Sequence, residues 1–288
     1  MKTVKEAIKE RMLDYISEQD LNMFSFVIDD GDEVEKVKIK RANPCNNSYS
    51  VAKAFAMTAI GMLFDEGKIS VNDKITDILK EEYEASGKPE RLWEEVTVDN
   101  TLRHRMGIAK GFLDIDTEDA TAYGTDDYLS LVWNTPITLP IGEERVYSDA
   151  AYYVISRIVE KISGERLVDF LWKRLFYPLG FREVSWSCCP KGHSMGATGL
   201  YIRTEDMAKL GRLYLNKGVW NGKRIISEEW IELVLSRAYE FSKVNDKRGY
   251  TKGGMCGQRL YFCYEDNVVV AWHAYENSKL CTDILKLL

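Results

Sequence analysis

Residues 46–69 read NNSYSVAKAFAMTAIGMLFDEGKI: polar residues, then Ser50, then an apolar run broken by one charge, Lys53. A helix that is apolar on all sides is normally buried. This one is predicted to start at Ser50 and to stop near Gly67. A lysine inside it is costly unless it is paired or sheds its proton. Two readings account for it. Lys53 lies near the helix N-terminus, and its stem can run along apolar surface while the amine reaches water. Alternatively the amine faces Ser50, because residues three apart share a helix face. The helix N-terminus favours developing negative charge, and a nearby base in a positive field is what activates a weak hydroxyl nucleophile.

Working outward, residues 4–18 have the period of an amphipathic helix, with Ile8, Met12, Tyr15 and Ile16 on one side. NMFSFVIDDGDEVEKVKIK (22–40) reads as a β-hairpin turning at Asp30-Gly31. AAYYVISRIVEKISG (150–164) and ERLVDFLWKRLFYPLGF (165–181) read as helices ended by Gly164 and by Pro178 and Gly180. TGLYIRT (198–204) reads as a strand, and the helix after it takes Thr204 as its cap. The helix SEEWIELVLSRA opens on Ser227. GQRLYFCYEDNVVVAWHAY (257–275) is a second hairpin, turning near Asp266-Asn267, and 276–288 closes the chain as a helix. Strands and a helix at each end predict one antiparallel sheet with flanking helices, and the middle a helical lobe. The expected division is 1–58 with 176–288 as the sheet domain and 59–175 as the helical lobe, with the site in the cleft between them.

The chain has 288 residues, 45% apolar and 29% charged, with a net charge of −6. No long basic run is present, which argues against nucleic acid as a partner. The longest uncharged apolar run, Ala54 to Phe64, is too short to span a bilayer. MKTVKEAIKERMLDYISEQD has no signal-peptide pattern, so a cytoplasmic location with no membrane partner is expected. Cys45, Cys188, Cys189, Cys256, Cys263 and Cys281 form no CxxC and are expected to be thiols in a reducing compartment. Cys188, Cys189 and His193 have poor zinc-ligand spacing, so no metal is expected.

Two further segments bear on Ser50: Tyr147-Ser148-Asp149, just before a strong helix, and GGMCGQ (253–258), a glycine-rich entry into a strand. With Ser50-x-x-Lys53 they stand in an order and rough spacing that resembles the serine β-lactamase and penicillin-binding-protein superfamily. The resemblance is nearest to its class C-like branch, which includes β-lactamases, D-amino-acid peptidases and family VIII esterases. It covers nearly the whole chain. It implies a mixed α/β (α+β), β-lactamase/transpeptidase-like fold and a serine hydrolase working through an acyl-enzyme, with no metal or organic cofactor and a small-molecule substrate. It implies that Ser50 attacks a carbonyl, that Lys53 helps remove its proton and that Tyr147 is the general base and acid. It also implies that the N–H groups of Ser50 and Gln258 form the oxyanion hole and that Gly257 leaves room for substrate. A strand period of two would set Met255 and Gly257 on one face and Cys256 on the other.

The motifs depart from the family pattern at two positions. Asp149 stands where the family has Asn, and Met255 where it has Lys or His. The first adds a carboxylate and the second removes a cation near Tyr147; both predict a weaker base, unless Lys252 or Arg248 supplies the missing cation. Asp149 would hold Lys53 charged, or else serve only as a helix N-cap. Without a cation at 255, efficient penicillin hydrolysis is disfavoured and a neutral ester or amide suits the site better. His104 reads as structural, and His193 and His273 as lone histidines. Two rivals stand beside the hydrolase: a strict β-lactamase or D,D-peptidase, and a non-catalytic ligand-binding homologue with degraded motifs.

Overall fold

A computed structural model describes residues 2–87, 89–246 and 248–288. The first helix, α1 (Val4–Glu18), starts at Thr3, whose hydroxyl accepts from the Glu6 N–H while the Glu6 carboxylate accepts from the Thr3 N–H. That reciprocal box satisfies two donors a helix start leaves open. Strands β1 (Met23–Asp29) and β2 (Val34–Lys38) form the expected first hairpin. Four more strands follow late in the chain: β3 (Ser242–Asn245), β4 (Gly249–Gly253), β5 (Arg259–Cys263) and β6 (Val268–Ala274). The six make one sheet in the order β2-β1-β6-β5-β4-β3. The two ends of the chain therefore meet in its middle, with β1 and β6 antiparallel and Phe26 opposite Trp272.

Both faces of the central strands are covered, so β6 is buried along its whole length. Alternation sends Phe26, Ile28, Val270 and Trp272 to one face, against Ile8, Met12 and Ile16 of α1 and Ile284 near the C-terminus. Val27, Val269 and Ala271 go to the other face and join the main core. The predicted C-terminal helix is shorter than expected, an α turn over Leu280–Asp283 followed by a 3₁₀ turn over Ile284–Leu287.

The stretch from Ser50 becomes a 3₁₀ turn (Tyr49–Val51) running into α2 (Ala52–Asp65), whose residues 52 to 63 are all buried. α2 packs against the helix Asp149–Ser163 and, at Gly61, against Trp230. A Cβ at Gly61 would lie 2.3 Å from the Trp230 ring, which is fully buried. Gly61→Ala is therefore expected to lower stability by about 1–3 kcal/mol despite alanine's better helix propensity. A urea unfolding midpoint at or above the native value would contradict this.

Thr204 does not cap its helix. Arg203 holds that position, and the Thr204 hydroxyl turns inward to Ser25 Oγ at 2.8 Å and His273 Nδ1 at 2.9 Å. Burial pushes the His273 imidazole down to about 3. The unfolded chain thus binds a proton that the folded chain refuses. Stability from this group is complete above its ordinary value of 6.5 and is lost as pH falls toward 3. Between about pH 5.5 and 4 its share approaches about 1.4 kcal/mol per pH unit. Unfolding measured in that window should show this slope, and His273→Asn should remove most of it.

Candidate active site

Ser50 and Lys53 meet as helix geometry requires, with Lys53 Nζ donating to Ser50 Oγ at 3.1 Å. The amine does not reach water: the Lys53 side chain is fully buried. It also donates to Asp149 Oδ1 at 2.7 Å and to the Ala197 carbonyl at 3.0 Å. An ammonium has three N–H donors, and here all three have acceptors. Burial pulls the amine toward neutrality, but Asp149, Tyr147 and Glu240 together outweigh it, and Lys53 is held above the ordinary lysine value. Lys53 is thus a positioned cation.

Asp149 is not the helix cap. Ser148 stands at that position, and Asp149 is the first residue of the helix Asp149–Ser163. Its carboxylate is spent on Lys53. Two carboxylates that sequence reasoning missed stand close by: ligand oxygens of Asp114, Asp116 and Asp149 lie within 4.8 Å of one another. Asp116 accepts from the Thr198 hydroxyl, and burial raises its carboxyl above the usual range.

Tyr147 is 40% exposed, so its ring is open to solvent. Lys53 Nζ lies 4.7 Å from the ring centroid, and Lys252 Nζ and the Arg145 guanidinium carbon each lie 5.3 Å from it. The expected loss of positive charge around Tyr147 is therefore corrected. Strand pairing sets Lys252 opposite Leu260 and delivers its amine to the ring. Arg248 instead lies over Tyr264.

Behind Tyr147 lies a buried triad. Glu240 accepts from Lys252 and pairs with His104 Nε2 at 2.9 Å. The Ser148 N–H donates to His104 Nδ1 at 3.2 Å. Nδ1 is then an acceptor and Nε2 carries the proton. Burial lowers the His104 imidazole, consistent with a neutral ring. Burial pushes the Glu240 carboxyl up, but Lys252 and His104 outweigh it and hold it well below the carboxylate range. The His104 ring lies against Tyr147 with centroids 4.5 Å apart. His104 is thus structural in a more specific sense than expected, since it orients the wall that carries Tyr147.

The third motif differs most from expectation. Met255–Gly257 is a 3₁₀ turn and the strand starts only at Arg259, so no strand alternation applies. Cys256 takes φ 54° inside that turn. Tyr49 (φ 46°) and His104 (φ 57°) are also left-handed non-glycine residues at this site, a costly conformation that surrounding contacts must hold. Met255 is 38% exposed. Gly257 has φ +86°, and a Cβ there would meet Cys281 at 3.0 Å. Its missing side chain makes room for the C-terminal segment rather than for substrate. The Gln258 N–H points at the Met255 carbonyl at 3.5 Å, a weak bond. The Gln258 side chain is locked onto Ala274, donating to its carbonyl at 2.6 Å and accepting from its N–H at 3.1 Å. Close approach of this turn to the nucleophile is enforced at Gly254, where a Cβ would lie 2.4 Å from the Ser48 carbonyl.

Residues 26–279 match the Beta-lactamase family model. Over 213 residues the chain is 27% identical to penicillin-binding protein 4 of Amycolatopsis lactamdurans, which covers 62% of this chain and 53% of that protein. Over 205 residues it is 25% identical to the 6-aminohexanoate-dimer hydrolase of Paenarthrobacter ureafaciens, 65% of this chain and 50% of that one. The chain thus spans about half the length of the curated relatives it matches. Among solved structures it shares its fold with EstCE1, a hydrolase with promiscuous acyltransferase activity. The TM-score is 0.74 at 13% identity, over 98% of each chain. No helix among the described residues is long and apolar enough to cross a membrane.

Proposed function

The chain belongs to the beta-lactamase family, and from that premise we propose that it is a serine hydrolase of a small ester or amide. The observation that carries this reading is the Ser50 hydroxyl held 3.1 Å from a buried, charged Lys53 at the head of α2. Ser50 Oγ attacks the substrate carbonyl and forms an ester bond to the acyl group. Lys53, with every donor engaged, positions the hydroxyl and does not take its proton. That proton goes to the Tyr147 oxygen, which acts as the base with the Lys53, Lys252 and Arg145 cations around its ring. Tyr147 passes it to the leaving group, then takes a proton from the water that attacks the acyl-enzyme and returns it to Ser50 Oγ as the Ser50–acyl bond breaks and the acid departs. The Ser50 and Gln258 N–H groups receive the oxyanion, with Gln258 exchanging its long bond to Met255 for the stronger charged one. Met255 borders the entrance, where it offers an apolar contact.

Turnover of short-chain p-nitrophenyl esters and of a chromogenic cephalosporin tests this. Ester turnover that disappears in Ser50→Ala, with little cephalosporin cleavage, is the expected result. Strong cephalosporin cleavage would favour the strict β-lactamase reading. Equal rates for native and Ser50→Ala protein on every substrate would leave the ligand-binding reading ahead.

A further inference from the structure

A cavity of about 500 Å³ opens beside Tyr147, lined by Arg103, Arg105, Arg145, Arg237, Lys252 and Arg259 among others. We propose that it is an anion subsite that receives a polyanionic substituent of the substrate, carrying two or more carboxylate or phosphate charges. The substrate part of this inference rests on the hydrolase reading above; the anion site does not.

The first support is charge. The chain as a whole is negative, at −6, yet six cations face this one space. The only carboxylate in its lining, among the described residues, is Glu240, already engaged by Lys252 and His104. Just behind the wall, Asp99 is shared: it accepts from Arg237 at 2.9 Å, from Tyr239 at 2.8 Å and from Arg103 at 3.4 Å. No carboxylate among the described residues pairs with Arg105, Arg145 or Arg259. Arg105 donates to the Gly142 carbonyl at 3.1 Å. Arg145 lies over the Tyr147 ring. Arg259 donates to Thr282 Oγ1 at 2.8 Å, and its Nε is buried without a partner. Like charges gathered in this way repel unless an anion joins them. One carboxylate would leave most of that charge uncompensated, which is why the ligand is a polyanion.

The second support is place and shape. Arg145 and Lys252 line the cavity and also lie 5.3 Å from the Tyr147 ring centroid, while Lys53, bonded to Ser50, lies 4.7 Å from it. The Tyr147 ring therefore lies close both to the cavity's cations and to the lysine bonded to the nucleophile. A substrate with its carbonyl at Ser50 can extend past Tyr147 into the basic space. The volume suits a small-molecule group, and guanidinium forks match carboxylate and phosphate oxygens in pairs. The cation absent at Met255 is thus replaced several-fold from other elements, and the expected preference for a neutral substrate is reversed.

Calorimetric titration of inorganic pyrophosphate and of citrate into native and Ser50→Ala protein tests the subsite apart from turnover. Both proteins should bind, with affinity falling as salt is raised, and the tighter of the two anions tells phosphate from carboxylate. Arg105→Gln with Arg145→Gln should weaken binding about tenfold or more, at an unchanged melting temperature. Arg145→Gln alone, at an exposed position, serves as the variant least able to disturb folding. Native enzyme should prefer the p-nitrophenyl monoester of tricarballylate, which keeps two carboxylates, over p-nitrophenyl butyrate by about tenfold in kcat/KM. Absence of binding at millimolar anion, or equal binding by the arginine variants, overturns the proposal. Anion binding without turnover of either ester leaves the subsite standing and removes the hydrolase reading.

Discussion

Ser50→Ala is expected to abolish acyl transfer with little change in stability. The Ser50 hydroxyl is the atom that forms the covalent bond in the proposed reaction. Its removal leaves Lys53 still bonded to Asp149 and to the Ala197 carbonyl. Loss of a nucleophile commonly removes all but background rate, a fall of about 10³-fold or more. Intact-mass measurement gives the sharper readout. Native protein exposed to a slowly deacylating ester should gain the mass of one acyl group, and the alanine variant none. Because the variant keeps Lys53, Tyr147 and the basic cavity, it should bind anions as the native protein does. An acyl adduct of equal yield in both proteins would assign the nucleophile to another residue.

Asp149→Ala is expected to cost about 3–5 kcal/mol, the usual result of leaving a buried charge without its partner. Both side chains are buried, Lys53 fully and Asp149 to within 6%, and the contact is 2.7 Å. Nearby Asp114 and Asp116 repel Asp149 and set the outcome toward the lower end of that range. The pH dependence distinguishes this cause from lost packing. In the native protein the Lys53 amine is held above its ordinary 10.5, so the stabilisation is complete below pH 10.5 and is lost as pH rises through the folded value. In Asp149→Asn, burial acts with less opposition and the amine falls toward its neutral form. Stability of that variant should therefore rise with pH, and its deficit should shrink between pH 7 and pH 9.5. Urea unfolding at those two values measures it. A loss below about 1 kcal/mol with no pH dependence would mean that Lys53 is a solvated lysine after all.

Much of this was legible because it is local. The buried helix, its neighbouring Ser50 and Lys53 and both hairpins follow from side-chain period and turn residues. The choice between cap and ion pair for Asp149 was not legible, since Asp serves either role at a helix start. The Met255–Gly257 turn was misread as strand because glycine-rich entries carry no period. Glu240 was missed: it is flanked by the buried Tyr239 and Phe241, but Arg237 and Lys243 nearby make the stretch read as polar surface. Its burial, and so its need for Lys252 and His104 as partners, is set by the tertiary structure.

Sequence by itself determined the serine–lysine pair, because a spacing of three on a helix is a geometric statement that needs no partner element, and the fold class, through the period of its strands and helices and the order of its motifs. Tertiary structure alone decided the electrical surroundings of that pair. Residues 103, 105, 145, 237, 252 and 259 come from separate loops, a helix end and two paired strands. Nothing in the local pattern around any one of them specifies that they share a cavity; strand register and the crossing of the chain over the sheet bring their charges to one space, two of them within 5.3 Å of the Tyr147 ring centroid.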